Sequence, residues 1–579
     1  MIKKFASQIK QYKTQAILAP LTIIIEVFLE VAIPFTIGGI IDDGLKNIKF
    51  ALIYGGVALL MAMLSLLAGG ISGLCAAKAG TGFAANLRNA LFSKIQDFSS
   101  KNIDKFNTGS LVTRLTLDIN YIQMAFTMII RIGVRAPIMF ISALIMSIVL
   151  NAKLALVFIS VIPFIVLGVV LLGRLAFPRF KKLFDAYDQM ENRIQENLIG
   201  IRVVKSFARE DHETKEFSKL SKLVFNVTKH AEKVLVFAMP IMQFIMYLTS
   251  VLIIFFGGNM MIRGELSDGD FTTFIQYIGM ILMSLMMIAM IFVTVIMNRT
   301  AMVRACEILD EKPDISDENA DLTLTLQDGS IEFENVSFRY GTSQSKLILE
   351  DFNLTIKSGE TIGIIGGTGS GKTTLVQLIP RLYDTNSGTV KAGGNDVRNY
   401  SLFNLRNEIA FVPQKNLLFS GTIKDNLLWG NPDATDEELQ LAAKRAAAHN
   451  FIMSFPDGYN SAIEQGGVNV SGGQKQRLCI ARALLKKPKI MVFDDSTSAV
   501  DVTTDAEIRS SIKENLSDMT VIIIAQRISS LSSADRIIVM SDGKIDGIGT
   551  HDELLENNMI YKEVYCSQLA GSSESETQI

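Results

Sequence analysis

Apolar and charged stretches alternate on a long scale through the first half of the chain. Six stretches have enough apolar residues to cross a bilayer as helices, namely 16–41, 51–77, 124–150, 154–172, 234–262 and 271–297. The connections 78–120 and 174–233 are long and rich in Lys and Arg, whereas the other connections are short and carry few basic residues. Because basic loops stay on the cytoplasmic side, the pattern predicts a multi-pass membrane unit with both termini in the cytoplasm.

The pattern changes after the last apolar stretch. A helical continuation ends at Pro313, and the acidic segment 313–329 has the composition of a linker. From residue 330 to residue 569 short strands alternate with helices, and the polar tail 570–579 is predicted to be disordered. The chain is therefore predicted to join an all-α six-helix transmembrane domain, 1–312, to an α/β domain, 330–569.

Composition supports this division. Of the 579 residues, 49% are hydrophobic, and the apolar residues are concentrated before position 298, as in a protein that resides in a lipid bilayer. The formal net charge is only −2, so a nucleic-acid partner is not expected.

A glycine-rich loop is the strongest chemical signal. It reads GGTGSGKTT at 366–374 and lies between a strand-like apolar run, 361–365, and a helical pattern, 374–382. Such a loop turns backbone N–H groups towards phosphates, while Lys372 reaches the β- and γ-phosphates and the Thr373 hydroxyl ligates Mg²⁺. The sequence thus predicts a P-loop nucleoside triphosphate site. Its residues are Gly366, Gly367, Thr368, Gly369, Ser370, Gly371, Lys372, Thr373 and Thr374.

Further motifs follow this loop in a fixed order. They are SFRYG with Tyr340 before the loop, then FVPQ with Gln414, VSGGQ at 470–474, IMVFDD at 490–495 and SAVD at 498–501. In type, order and spacing they resemble the motifs of an ATP-binding-cassette (ABC) transporter.

This resemblance implies roles for the motif residues. Tyr340 would stack on the adenine of ATP, Gln414 and Asp494 would serve the Mg²⁺ ion together with Thr373, and Asp501 would form the D-loop. The signature residues would close over ATP held by a second subunit; they are Ser471, Gly472, Gly473 and Gln474.

The membrane half resembles the exporter class of the same family. GSLVTRLTLD, 109–118, and ENLIGIRVVKSFARED, 196–211, are similar to the two intracellular loops whose tip helices dock onto the nucleotide-binding domains. The resemblance implies a half-transporter that needs a second subunit. It implies an ATP-driven exporter of amphipathic drugs or lipids in the plasma membrane, in which ATP binding opens the cavity outward and hydrolysis resets it.

Two residues depart from the family pattern at the hydrolytic step. Asp495 stands where the family has the Glu that acts as general base, and one methylene less withdraws the carboxylate by more than about 1 Å. Gln526 stands where the family has His, so a neutral amide replaces a group that can carry positive charge. We interpret this as a degenerate ATP site in one half of a heterodimer, whose partner supplies Glu and His.

Other functions are compatible with the same residues. A homodimeric exporter could use Asp495 as its base, and an importer or a lipid flippase could be built on the same scaffold. From a different class, the chain could be an ATP-gated regulatory subunit that does not hydrolyse ATP.

Charged residues inside the spans are costly and are therefore candidate substrate contacts. Glu26 and Glu30 share one helical face, as do Arg131 and Arg135, and Glu26 and Arg135 are predicted to lie at similar depth. They predict either a polar patch in the transport cavity or an ion pair between helices. Asp42 and Asp43, at the outer end of the first span, are candidates for an extracellular gate, with a solvated loop as the alternative.

Overall fold

The computed structural model describes residues 2–341, 345–495, 502–515 and 518–576, apart from side chains at several positions in 157–184, 235–246, 512–515 and 570–576. It divides into two compact units. The first combines Met1–Gln96 with Gly109–Asp310, and the second combines Asp97–Thr108 with Glu311–Ile579.

Residues 2–310 are almost entirely helical. In chain order the helices are α1 (Ile2–Ser7), α2 (Lys13–Gly39), α3 (Ile48–Gln96), α4 (Ser100–Phe106), α5 (Thr108–Thr113), α6 (Ile119–Leu150), α7 (Ala152–Ile199), α8 (Ile201–Ser206), α9 (Glu210–Ile262) and α10 (Asp268–Asp310). Among the described residues, five stretches are long and apolar enough to cross a membrane: Lys10–Gly44, Ile48–Gln96, Thr108–Leu150, Gln243–Ile262 and Asp268–Asp310. The fourth predicted span, 154–172, falls in α7, where many side chains lie outside the described residues, so it stays a prediction.

The membrane helices continue well beyond the bilayer. Helices α3, α7 and α9 contain 49, 48 and 53 residues. At about 1.5 Å per residue each is more than twice as long as a hydrocarbon core of about 30 Å. The long basic connections are thus helical extensions. In the first connection, 78–120, Asp118 accepts a hydrogen bond from Arg304 Nε of α10 at 2.8 Å. This bond holds the end of the segment 109–118 to α10.

Polar bonds join α2 to α10 inside an apolar core. Ile23, Val27 and Val31 of α2 pack in one buried cluster with residues of α10, including Tyr277. The Tyr277 hydroxyl donates to the Val31 carbonyl at 2.8 Å, and the Thr273 hydroxyl donates to the Pro34 carbonyl at 2.9 Å. Membrane helices tolerate interior prolines because neighbouring helices can satisfy the backbone groups nearby.

The second unit is an α/β domain. Its strands are β1 (Ile331–Phe338), β2 (Leu349–Ile356), β3 (Thr361–Gly366), β4 (Ser387–Ala392), β5 (Asn395–Asp396), β6 (Ile409–Val412), β7 (Gly421–Thr422), β8 (Ala462–Ile463), β9 (Ile490–Asp494), β10 (Thr520–Ile524), β11 (Arg536–Ser541) and β12 (Lys544–Gly549). Its helices are α11 (Lys372–Leu378), α12 (Leu402–Asn407), α13 (Ile423–Leu428), α14 (Asp436–Arg445), α15 (His449–Met453), α16 (Gly472–Leu485), α17 (Val502–Asn515), α18 (His551–Asn557) and α19 (Met559–Glu576).

A six-stranded sheet in the order β12-β11-β3-β10-β9-β6 is the centre of this domain. All neighbours pair in parallel except β11 and β12. Strand β9 is buried on both faces: Ile490 and Val492 join one apolar cluster, while Met491 and Phe493 join the other. Since the strands are parallel, the carboxyl ends of β3, β6, β9 and β10 meet at one edge of the sheet, which is where ligands bind in such folds.

Helix α4 belongs to this second unit. Asn102 donates to Glu311 at 3.0 Å and Lys105 forms an ion pair with Glu311 at 2.7 Å, while Tyr383 donates to Asp104 at 2.7 Å. The tip of the first long basic connection is therefore fastened to the segment that leads into the α/β domain. The predicted boundaries at 312 and 330, and the predicted disordered tail beyond residue 569, stay predictions.

Candidate functional sites

The phosphate loop lies at the carboxyl edge of the central sheet. It connects β3 to α11, and three other motif residues follow neighbouring strands: Gln414 after β6, Asp494 at the end of β9 and Gln526 after β10. Residues that are far apart in sequence thus come together because parallel strands end at the same edge.

Close packing and backbone conformation both call for glycine in the loop. A Cβ at Gly366 would lie 2.1 Å from the Met540 carbonyl oxygen, because β11 passes directly beside the loop. Gly371 has φ +95° immediately before the first residue of α11, a conformation that a side chain would strain. Gly367 and Gly369 have no heavy atom within 4 Å of an added Cβ, so their backbone faces open space, as the approach of phosphates requires.

Lys372 is folded back over the loop. Its Nζ donates to the carbonyls of Gly366 and Gly367, both at 2.8 Å. Burial lowers the pKa of this ammonium, and the nearby carboxylates of Asp495 and Asp494 oppose that effect. A lysine held in this way places a positive charge where the β- and γ-phosphates of a nucleotide would lie.

Thr373 and Asp494 form the donor pair expected for Mg²⁺. The Thr373 hydroxyl donates to Asp494 Oδ1 at 2.8 Å, and Asp494 is buried. Burial raises the pKa of Asp494, whereas the Thr373 hydrogen bond lowers it and the charge of Asp495 raises it further. A hydroxyl and a carboxylate are hard oxygen ligands, so the residues present fit a Mg²⁺ ion that also binds the nucleotide phosphates.

Asp495 is held by two neutral amides. Its Oδ2 accepts from Gln526 Nε2 at 2.8 Å and from Gln414 Nε2 at 3.2 Å, and its backbone has a φ of 48°. A left-handed conformation at a non-glycine residue carries a strain cost, and the surrounding hydrogen bonds must hold Asp495 in it. The two residues that depart from the family pattern, Asp495 and Gln526, are thus in direct contact, which their spacing in the sequence does not reveal.

Tyr340 is part of an aromatic cluster. Its ring makes edge contacts with Phe338 and Tyr383 at centroid distances of 4.9 and 5.2 Å. Its hydroxyl lies 3.1 Å from the Thr374 hydroxyl and donates to Gln377 at 3.2 Å, so the ring stands next to the helix that follows the phosphate loop. The sequence interpretation missed Phe338, Gln377 and Tyr383, because no pattern marks a residue whose role is to support another.

The signature segment forms the start of α16. The Ser471 hydroxyl accepts from the Gln474 N–H at 3.2 Å, and the Gln474 side chain accepts from the Ser471 N–H at 3.0 Å. This capping box leaves Ser471 and Gly472 exposed at the positive end of a helix of 14 residues. Gly473 follows in the first turn. Asp501 of the predicted D-loop lies outside the described residues.

In the membrane unit, three of the four intramembrane charges form one cluster. Arg135 forms ion pairs with Glu26 through Nη1 and with Glu30 through Nη2, the latter at 2.7 Å. Gly69 of α3 makes this possible, since a Cβ there would lie 3.0 Å from the Glu26 carboxylate. Arg131 lies one helical turn before Arg135, is exposed and is close to Gly73. It is therefore not part of the ion-pair cluster.

Asp42 caps the last membrane helix. Its Oδ2 accepts from the Ser267 hydroxyl at 2.6 Å and its Oδ1 accepts from the Gly269 N–H at 2.8 Å, at the N-terminus of α10. Asp43 is exposed in the same π-helical turn, Ile40–Gly44, as its alternative interpretation as a solvated residue expects. Asp42 therefore connects the end of α2 to the start of α10 and is not a solvated loop residue.

Comparison with known proteins agrees with this architecture. The family model described as the ABC transporter transmembrane region matches residues 16–286, and the model described as ABC transporter matches residues 349–498. An uncharacterised ABC transporter ATP-binding protein of Bacillus subtilis, YfiB, is 36% identical over 98% of each chain. The ATP-dependent lipid A-core flippase of Desulfotalea psychrophila is 34% identical over 85% of each chain.

A solved structure gives the same fold. The chain aligns with a bacterial Atm1-family ABC exporter, determined with ATP bound, at a TM-score of 0.84 and 24% identity, covering 96% of this chain and 99% of that one.

Proposed function

The chain belongs to the ABC transporters, and on that premise we propose that it is the degenerate-site half of a heterodimeric exporter. An exporter-type ABC transporter couples ATP hydrolysis by its cassette to transport across a membrane, and it works as a dimer of two such halves. The proposal concerns the division of labour between the two ATP sites of that dimer.

The contact between Asp495 and Gln526 carries this proposal. The carboxylate that would activate water is one methylene shorter than glutamate, and a displacement of about 1 Å can cost on the order of 100-fold in rate. Its Oδ2 accepts from two neutral amides, and neither Gln414 nor Gln526 brings positive charge towards the γ-phosphate. Both hydrolytic positions are thus weakened in the same hydrogen-bonded group.

The phosphate- and metal-binding residues beside this group are unaltered. Lys372 lies over the glycine loop, Thr373 bonds to Asp494, and Gly367 and Gly369 face open space, which supports binding of ATP with Mg²⁺. We infer that this site binds ATP with Mg²⁺ for long periods and hydrolyses it slowly. The exposed N-terminus of α16, at Ser471 and Gly472, would close over the ATP of the partner subunit, where the partner supplies the Glu and the His.

The test compares damage to the two sites. Asp495→Asn changes only the slow site, so the purified complex should keep most of its steady-state ATPase activity. Gly472→Asp places a carboxylate against the γ-phosphate of the partner's ATP, so hydrolysis should nearly vanish through like-charge repulsion and steric exclusion. Equal and nearly complete loss from both changes would contradict the proposal and would indicate a homodimer that uses Asp495 as its base.

We further propose that the substrate is an amphipathic drug or lipid and that Glu26, Glu30, Arg131 and Arg135 line the transport cavity. Intramembrane charges are expensive, and the kinship with a lipid A-core flippase supports an amphipathic substrate class. Glu26→Gln, Glu30→Gln and Arg135→Gln combined leave no uncompensated charge, and this triple change should alter the ratio of ATPase stimulation by cationic and neutral amphipaths. Glu265→Gln, which removes an exposed carboxylate paired with Lys153, is the matched control. An unchanged ratio in the folded triple variant would assign the cluster to structure alone.

Asp42 and Asp43 have a place in the same proposal. Asp42 holds the outer ends of α2 and α10 together, so we propose that its bonds to Ser267 and Gly269 are those that must rearrange when the outer gate opens. Asp42→Asn, which can still accept one of these bonds, should alter the rate of outward opening measured by spin labels at the outer helix ends. No change in that rate would exclude the gate role.

A further inference from the structure

The loop that carries Gln526, residues 525–530, is supported from the C-terminal helix. The side chain of Gln568 in α19 makes two hydrogen bonds to this switch loop. Its Nε2 donates to the Gln526 carbonyl at 2.8 Å and its Oε1 accepts from the Ile528 N–H at 3.0 Å. The donor and the acceptor of one side-chain amide therefore bond to the backbone of the two residues that flank Arg527.

The side-chain amide of Gln568 bonds to the switch loop in the way that a neighbouring β-strand would. Arg527 has an extended backbone, with φ −91° and ψ 125°. In a parallel sheet one residue bonds the carbonyl before and the N–H after its neighbour, and the Gln568 amide does the same for Arg527. The two bonds together fix the path of the switch loop as it leaves β10. They therefore also fix the backbone position from which the Gln526 side chain extends.

The opposite side of the switch loop is held by α17. Arg509 donates through Nη1 to the carbonyls of Ser529 and Ser530 at 3.1 and 2.9 Å. The Ser530 hydroxyl donates to the buried Asp505 at 2.8 Å, and Asp505 also forms an ion pair with Arg509. The end of the loop is thus anchored to one helix, while the start, which carries Gln526, depends on Gln568.

Helix α19 is itself fixed where it begins. Tyr561 is fully buried in the core of the domain, and its hydroxyl lies 2.7 Å from His551 Nδ1. Gln568 lies seven positions later on an exposed part of the same helix, two turns of about 5.4 Å pitch from that anchor. A rigid helix that is anchored at one end can hold an amide in place at the other.

We propose that Gln568 is a positioning residue, through which the C-terminal helix sets the contact between Gln526 and Asp495 in the ATP site. This rests on the proposed function only in taking that site to hold ATP; it does not depend on whether the site hydrolyses slowly or quickly. Gln568 touches neither reacting atoms nor, by this geometry, the nucleotide, so it acts through the 2.8 Å bond between Gln526 and Asp495.

The experiment is a double-mutant cycle on the release of ATP. Dissociation of a fluorescent ATP analogue with Mg²⁺ is followed from the purified complex, and the phase that Lys372→Ala abolishes is assigned to this chain's site. Gln568→Ala should change the rate of that phase about fivefold, whereas in a Gln526→Ala background the same change should have no further effect. Ser567→Ala, whose hydroxyl bonds only within α19 to the Val564 carbonyl, is the matched control and should leave the rate unchanged.

Two further variants make the result specific. Gln568→Glu keeps the acceptor for the Ile528 N–H but places a carboxylate against the Gln526 carbonyl, so it should be as disruptive as alanine. Gln568→Met keeps the length without the polar atoms and should match alanine as well. The midpoint of thermal unfolding is measured for every variant, because a general loosening of α19 would lower it.

The outcomes separate the proposal from its rivals. An effect of Gln568→Ala that persists in the Gln526→Ala background overturns the proposal, as does no effect in either background. Failure of the heterodimer proposal appears elsewhere, in equal ATPase losses from Asp495→Asn and Gly472→Asp, and leaves the release cycle interpretable.

Discussion

Two clusters in this molecule place a cationic side chain among carboxylates, yet they are built in opposite ways. In the membrane, Arg135 makes direct ion pairs with Glu26 and Glu30. In the cassette, Lys372 lies near Asp494 and Asp495 but donates to backbone carbonyls, and the two carboxylates are held by a hydroxyl and by amides. Each cluster has one cation and two carboxylates, but the first pairs them directly, whereas the second leaves them available to a nucleotide and a metal ion.

The difference follows from what surrounds each cluster. The hydrocarbon core offers no water to stabilise a lone charge, so opposite charges must meet there. Even so, Glu26 Oε2 and Arg135 Nε are buried without a hydrogen-bond partner among the described residues. At the edge of the sheet, burial raises the pKa of Asp494, so the charged carboxylate there is disfavoured by desolvation. A cluster whose cation bonds directly to its carboxylates is suited to hold helices together, whereas one whose cation bonds to backbone carbonyls is suited to bind.

Removing the shared cation should have the largest effect. Arg135→Gln leaves two carboxylates uncompensated inside the membrane, and breaking a buried pair in this way costs about 3–5 kcal/mol. We expect little folded protein, measured as the monodisperse fraction after extraction in detergent. Adding Glu26→Gln and Glu30→Gln to the same chain should restore it.

Arg131→Gln provides the comparison for this test. Arg131 lies outside the ion-pair cluster, so its loss should leave the yield of folded protein close to that of the unmodified chain. Equal losses from Arg131→Gln and Arg135→Gln would show that the ion pairs are not what distinguishes the two arginines.

Restoring the hydrolytic chemistry should have the next largest effect. Asp495→Glu together with Gln526→His returns the longer carboxylate and a group that can carry positive charge. Hydrolysis at this site should rise by about 10- to 100-fold, since both positioning and charge contribute. The assay measures ATPase activity in a complex whose partner lacks its own base, so that the second site is silent. No increase would place the defect in the partner's signature instead.

The smallest expected effect is on ATP affinity, through competition between a proton and Mg²⁺ for the Asp494 carboxylate. Because burial raises the pKa of Asp494 above its ordinary value of 3.8, the folded state binds this proton more tightly than the unfolded chain does. The stability that the proton contributes is complete below pH 3.8 and is lost as pH rises through the raised pKa. The same proton competes with Mg²⁺ as pH falls, so Mg²⁺-dependent ATP affinity should weaken as pH falls towards the raised pKa.

Calorimetric titration at several pH values measures this dependence. ATP binding in excess EDTA gives the contribution of the nucleotide's own titration, which is subtracted. In Asp494→Asn the remaining pH dependence should disappear, and its persistence would assign the proton to another group.

Local sequence patterns determined the architecture of each half. The period and length of the apolar stretches predicted the membrane helices, because a span must satisfy all of its own backbone groups and requires a long uniform stretch. The phosphate loop was equally clear, since its chemistry requires glycines, a lysine and a hydroxyl at consecutive positions. Helix geometry also predicted a comparable depth for Glu26 and Arg135, in agreement with their direct contact, but it left open whether they form an ion pair or a polar patch in the cavity.

Tertiary structure decided which residues support the sites. Only the parallel order of β9 and β10 brings Gln526 against Asp495, although 31 positions separate them. Arg131 and Arg135 have the same spacing as the two glutamates, but only Arg135 forms ion pairs with them among the described residues, while Arg131 lies beside Gly73. The Gln568 amide bonds to the switch loop from 40 positions away. Which of these residues come into contact depends on the distances between helices and strands, and those distances are set only when the chain has folded.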